Sequence, residues 1–212
     1  PHRLPGNELS YLSLAGNGRG MGAIDLESAK QMIVTAGARL NYLACSSISN
    51  VTGIGNNWPE LAAAVHAQGA LILIDAAQSI AHQECDFSAL APAERPDFFV
   101  FSGHKLYAPM APGVLVARRS EIKSLAGQNL GGGSVADVSL HDYELLDTLP
   151  DREQSGTPNI IGAFALASVM KALKSEGLNK IQQREQALMN RLIAQLCDLP
   201  SIEVYGDLKE SR

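Results

Sequence analysis

The chain is poor in cysteine: three residues in 212, Cys45, Cys85 and Cys197, with no CxxC pair and no Cys/His spacing. So sparse and odd a set argues against a disulfide framework or a zinc site and fits a reducing cytoplasm. Cys45 stands in an apolar run and Cys197 in a helical pattern, so packing is the default role of both, while Cys85 lies in a polar stretch. Long apolar runs are also missing. None approaches the roughly 20 residues of a membrane span, and no basic segment leads into an apolar one. A basic stripe is absent too: 17 Lys and Arg against 22 Asp and Glu leave a formal charge of −5, spread along the chain. That balance lacks the footprint of a nucleic-acid-binding surface. The expectation is a soluble cytoplasmic protein with neither nucleic acid nor membrane as partner.

What is present is a globular composition, 46% hydrophobic, in which no repeat or low-complexity segment occurs. A chain of this length buries roughly 70% of the surface its unfolded form exposes, and needs no staple. Apolar runs of strand length alternate with helical periodicity, the pattern of an α/β domain. Strands are expected over residues 8–14, 40–45, 70–74, 98–101 and 113–117, and a last one over 202–205. Helices are expected over 24–36, with Asp25 as cap, over 58–68, closed by Gly69, and over 159–174 and 178–196. The run 70–74 is apolar throughout, as in a sheet covered on both faces. Residues 130–134 contain three consecutive glycines and read as irregular backbone. The first and last strands lie so close to the ends that both termini look like cut edges of something larger, and the same pattern fits a compact domain with short termini equally well.

Three polar clusters each follow an apolar strand: Ser46–Asn50, Asp75–Gln78 and Ser102–Lys105. In open α/β sheets ligands gather at strand ends, where side chains of several strands converge. A carboxylate directly after a five-residue apolar run is costly without a cationic neighbour. Taken singly, Asp75 also reads as the cap of the next helix, and Lys105 as a lysine in solvent. The ordered pair, strand-Asp-x-x-Gln followed by strand-Ser-x-His-Lys, favours a site.

At these residues a resemblance appears. Leu73-Ile74-Asp75-Ala76-Ala77-Gln78-Ser79 and Phe99-Val100-Phe101-Ser102-Gly103-His104-Lys105-Leu106-Tyr107 resemble the core signature of class V aminotransferases, most of all the branch of cysteine desulfurases and selenocysteine lyase-like enzymes. Ser49-Asn50-Val51-Thr52-Gly53, the Gly131-Gly132-Gly133 triplet, and Arg152-Glu153-Gln154-Ser155-Gly156-Thr157-Pro158-Asn159 follow in the expected order. The resemblance implies the three-layer α/β large domain of a fold-type I transferase, a mostly parallel sheet flanked by helices. It implies that the domain is truncated at both ends, with 1–200 a part of it and 201–212 the start of a C-terminal small domain.

It also implies pyridoxal 5′-phosphate as cofactor. Lys105 would form the Schiff base and shuttle protons, and Asp75 would hold the proton on the pyridine nitrogen so that the ring can act as electron sink. Gln78 would donate to the ring's phenolic oxygen, Ser102 and His104 would meet the phosphate, and Asn50 the substrate carboxylate. Thr157 would reach the phosphate of the neighbouring subunit, which implies a homodimer, and Arg152 would be structural. The implied reaction is cysteine desulfuration, L-cysteine to alanine plus sulfur, with a sulfur-acceptor protein as a further partner. A class V aminotransferase or another lyase is the alternative, and a non-catalytic fragment that keeps the fold is the alternative of another class.

Some positions depart from the pattern. Ser47 stands where related desulfurases carry histidine, Ala108-Pro109-Met110-Ala111-Pro112 replaces a glycine-rich turn, and Gln154 replaces the glutamate of an Arg-x-Glu pair. None of the three cysteines occupies a position resembling the desulfurase nucleophile.

Overall fold

The structure, a computed structural model, describes residues 8–16, 22–124 and 130–206. Its centre is a four-stranded sheet of β1 (Tyr42–Ser46), β2 (Leu71–Asp75), β3 (Phe98–Ser102) and β4 (Gly113–Ala117), in that spatial order. The first three run parallel; β4 returns antiparallel beside β3, from Ser102 opposite Gly113 to Phe98 opposite Ala117. Helix α1 (Leu26–Ala36) precedes β1, and α2 (Trp58–His66) makes the crossover to β2. A short α3 (Arg119–Ser124) follows β4, and a hairpin of β5 (Val135–Val138) and β6 (Tyr143–Leu145) leads to the long helices α4 (Ile160–Glu176) and α5 (Leu178–Cys197).

Local chemistry sets these boundaries. The Asp25 side chain accepts from the Ser28 amide and so caps α1. Pro59 sits in the first turn of α2, where its missing N–H does no harm. Gly69 turns the chain into β2 at φ +74°, a conformation only glycine adopts without cost. The strands have a dry side and a wet side. Leu43, Ile72, Ile74, Phe99 and Phe101 are buried with Leu61 and Val65 of α2 and Ile33 of α1, whereas the alternate residues are half-buried or exposed. Coverage of both faces, expected from the apolar run of β2, is thus uneven within the described residues. Trp58 stacks edge-on against Phe87 and Phe99, closing the core over α2.

At the edge where the parallel strands begin, Asp97 is buried to 1% exposure, a position the sequence reading did not single out. Its carboxylate accepts from the Ile72 amide (2.8 Å) and meets His66 Nε2 (2.9 Å) and Arg118 Nε (3.3 Å). These bonds tie α2, β2, β3 and the end of β4 together, and they replace the water that a buried carboxylate loses.

Two expected strands do not form. Within 8–14 only Leu14 pairs, in a single bridge to Ile24, and 202–205 is irregular. Alternation marks a side fit for a sheet, but a strand also needs a neighbour to bond with, and beyond that one bridge these segments find none within the described residues.

Candidate functional site at the carboxyl ends of the strands

Asp75 closes β2 and Ser102 closes β3. Ser46, Asp75 and Val100 lie in register across the three parallel strands, and Ser102 is two residues past Val100. With a side-chain period of two and neighbouring strands about 4.8 Å apart, these positions share one side of the sheet. The sheet edge therefore gathers Asp75, with Gln78 in the following turn, beside Ser102 and the 3₁₀ turn Gly103–Leu106 that carries His104 and Lys105. Asp75, His104 and Lys105 are exposed, and Gln78 and Ser102 are half-buried. Asp75 Oδ1 accepts from the Ala77 amide at 2.9 Å, which fixes the carboxylate and leaves its second oxygen for a ligand.

Asn50 lies at the same edge, on the loop after β1. That loop is built around Ser49, whose carbonyl accepts from the Gly53 amide and whose hydroxyl accepts from the Val51 and Thr52 amides. Asn56 anchors its base, accepting from the Ile24 amide and donating to the Ser46 carbonyl, both at 2.8 Å. Ser47 is buried against Ser79: the hydroxyls are 2.7 Å apart, and both the amide and the hydroxyl of Ser47 donate to the Asp75 carbonyl. The other flank is held by the Ala76 amide donating to the Val100 carbonyl. The peptide that follows Asp75 is thus fixed from β1 and from β3. The sequence marked Ser47 only as a departure and gave no signal of the hydroxyl pair, whose members lie 32 residues apart.

The turn with Lys105 belongs to a closed loop. The Gly103 amide donates to the Pro112 carbonyl and the Ala108 amide to the Gly103 carbonyl, while Leu106 is sunk in the core. A Cβ on Gly103 would stand 2.6 Å from Ala111 Cβ and 2.8 Å from the Pro112 oxygen, so the neck admits only glycine. Tyr107 and Met110 adopt left-handed backbone, at φ 58° and 63°.

The glycine triplet and the 152–159 segment also come together. The Gly156 amide donates to the Gly132 carbonyl at 2.7 Å, and Ser134 is fully buried, its hydroxyl bonded to Gly131. Arg152 donates to the Ile122 carbonyl and pairs with Glu153. Thr157 is exposed, and Asn159, two residues on, donates to the Met110 carbonyl. Thr157 is therefore tied to the lysine loop through Asn159.

Burial pushes the Cys45 thiol up to about 12. Burial of its sulfur, and secondarily the Asp86 carboxylate, push Cys85 up to about 11, although the residue as a whole is exposed. Neither is disposed to ionise near neutrality.

The mostly parallel sheet flanked by helices is the α/β architecture of the pyridoxal-phosphate-dependent transferases, and solved relatives share that fold. Over 92% of its length the chain superposes with TM-score 0.80 on 46% of an apo cysteine desulfurase from Thermococcus onnurineus NA1, at 31% identity. Over 84% it superposes with TM-score 0.75 on 42% of the cysteine desulfurase CsdA from Escherichia coli, at 27% identity. A cysteine desulfurase of Escherichia coli O157:H7 (strain EC4115 / EHEC) is 35% identical over 168 residues, 79% of this chain and 40% of that protein. The sequence profile of the class V aminotransferases matches residues 11–212. The chain belongs to the class V aminotransferase family, whose members depend on pyridoxal phosphate. It spans less than half the length of the relatives it matches.

Among the described residues, no helix is long and apolar enough to cross a membrane.

Proposed function

We propose that the protein carrying this chain is a cysteine desulfurase-like enzyme that binds pyridoxal phosphate through Lys105. The observation that carries the reading is the register of β2 and β3, with Asp75 opposite Val100 and the Ser102–Lys105 run just beyond. The donor set suits the cofactor: an exposed amine for its aldehyde, a carboxylate with one oxygen uncommitted for its ring nitrogen, and a hydroxyl and an imidazole for its phosphate. When bound, the cofactor supplies an electron sink for a substrate carbanion. In this reading Asp75 holds a proton on the ring nitrogen, Gln78 donates to the phenolic oxygen, and Ser102 and His104 bind phosphate. Lys105 carries the cofactor and moves the substrate's Cα proton, and Asn50 meets the substrate carboxylate. Thr157 serves the phosphate bound in a second subunit, so the working form is a homodimer. Met110, Ile160, Ile161 and Phe164, apolar and exposed around the lysine loop and the start of α4, offer a surface for that partner.

The raised thiols of Cys45 and Cys85 support assigning the sulfur-attacking nucleophile to neither of them. Residues 1–200 then form part of the large domain, 201–212 open the small domain, and a sulfur-acceptor protein takes the product in the cytoplasm.

The test is alanine formation from L-cysteine by the full-length protein, with sulfide released by a thiol reductant such as dithiothreitol, and Lys105→Ala alongside. Release by the wild type that falls to background in the variant is expected. Amino transfer to a 2-oxo acid without sulfide would place the protein among the aminotransferases instead, and undiminished turnover in Lys105→Ala would remove the lysine from the reaction.

A further inference from the structure

We infer that Asn159 is a positioning residue for the lysine loop, a role that rests on Lys105 as the cofactor-binding lysine. One side-chain amide makes two different bonds. Its Oδ1 accepts from the Gly162 amide at 2.9 Å, capping α4, and its Nδ2 donates to the Met110 carbonyl at 2.8 Å. The amide cannot be turned over, because its NH₂ would then face an N–H and its oxygen a carbonyl.

The receiving carbonyl sits at the tip of the loop. The neck is closed by the Gly103-to-Pro112 bond, and Lys105 lies between neck and tip. Met110 at that tip holds a left-handed conformation unfavourable to any residue with a side chain, so a tie from outside the loop is needed to keep it there. Gly162 makes room for the tie: a Cβ there would lie 2.7 Å from the Met110 oxygen and 2.4 Å from Asn159 Nδ2. Helix α4 packs on the Gly103–Leu106 turn itself, so the loop is held at its tip and along its base by the same helix. Asn159 thereby fixes where the Lys105 turn stands relative to α4. It also links that turn to the segment bearing Thr157.

Helix capping and loop positioning are separated by Asn159→Asp. Aspartate is as good a cap as asparagine, but it has no N–H for Met110 and sets a carboxylate against its carbonyl. Two readouts on the full-length protein test the idea: amide hydrogen exchange of peptides covering 103–112 and 160–166, and titration with pyridoxal phosphate followed by the visible band of the cofactor-bound protein. In Asn159→Asp, exchange over 103–112 should rise about tenfold with 160–166 unchanged, and cofactor affinity should fall about three- to tenfold, the range for one lost hydrogen bond. Asn159→Ala should show the same loop effect and also fray 160–166.

Wild-type exchange and wild-type affinity in Asn159→Asp would reduce Asn159 to a helix cap and overturn the inference. A wild type that protects 103–112 yet develops no band on titration would instead overturn the assignment of Lys105, and the positioning role with it.

Discussion

The Asp75 carboxylate has one oxygen committed to the Ala77 amide, and its peptide is pinned by Ser47 on one side and Val100 on the other. A group held so firmly with one oxygen free is suited to a charge partner, so Asp75→Asn should leave the fold and the binding of pyridoxal phosphate largely intact. A neutral amide cannot keep a ring nitrogen protonated. Turnover by the full-length enzyme should therefore drop about 10²-fold or more, and near-normal steady-state rates would reduce Asp75 to a turn cap. The thiols give a second test at this scale. With Cys45 near 12 and Cys85 near 11, iodoacetamide at pH 8 should leave Cys45 unmodified in the folded chain. Cys85 should react far more slowly than a free cysteine, since a thiol pushed up from 9.0 to about 11 holds roughly a hundredfold less thiolate at that pH. The raised Cys45 value also favours the folded state while the thiol is protonated. That contribution is whole below the thiol's ordinary value of 9.0 and is lost as pH climbs toward about 12, so Cys45→Ala should flatten the alkaline fall in stability. Asp75 and Lys105 stood out in the sequence as candidates because one closes an apolar run and the other stands in the polar cluster after the next, an ordered pair that neither residue makes alone. Asn159 and the Ser47–Ser79 pair did not, because ordinary polar residues gain meaning only from a partner 49 or 32 residues away.

At the scale of elements, the loop Gly103–Pro112 concentrates the constraints of the site. Pro109 and Pro112 stand where a glycine-rich turn was expected, and the path there sets two non-glycine residues, Tyr107 and Met110, in left-handed backbone. The tightness of Gly103 was invisible beforehand, since it depends on Ala111 and Pro112 folding back across the neck. Gly103→Ala should lower unfolding free energy by about 1–3 kcal/mol, the range for overpacking a filled site, and should also displace Lys105. Denaturant unfolding with the cofactor band as a companion readout checks this; an alanine variant as stable and as strongly coloured as the parent would contradict the geometry. The central strands and long helices were readable within a residue or two: burial alternates along β2 and β3, and Asn159 and Gly177 cap the ends of α4. Residues 8–14 and 202–205 show the reverse, apolar patterning without a strand partner, where sequence alone overstates order.

For the whole molecule, the described surface exposes several large apolar side chains. Leu140 is 95% exposed, Met110 88%, Ile161 85% and Phe164 75%. Three of these, Met110, Ile161 and Phe164, lie on the lysine loop and the first turns of α4, which Asn159 joins, and clustered apolar exposure marks association. The purified chain should elute from a sizing column as a dimer or larger, with Phe164→Glu shifting it toward monomer. A monomeric parent would remove the argument that Thr157 serves a second subunit.

The central claim, that Lys105 holds the cofactor, is tested most directly by borohydride reduction of the full-length protein loaded with pyridoxal phosphate, followed by peptide mapping. The strand-end arrangement of Asp75, Ser102, His104 and Lys105 predicts the pyridoxyl label on Lys105; a label on Lys123 or Lys171 with Lys105 unmodified would contradict it.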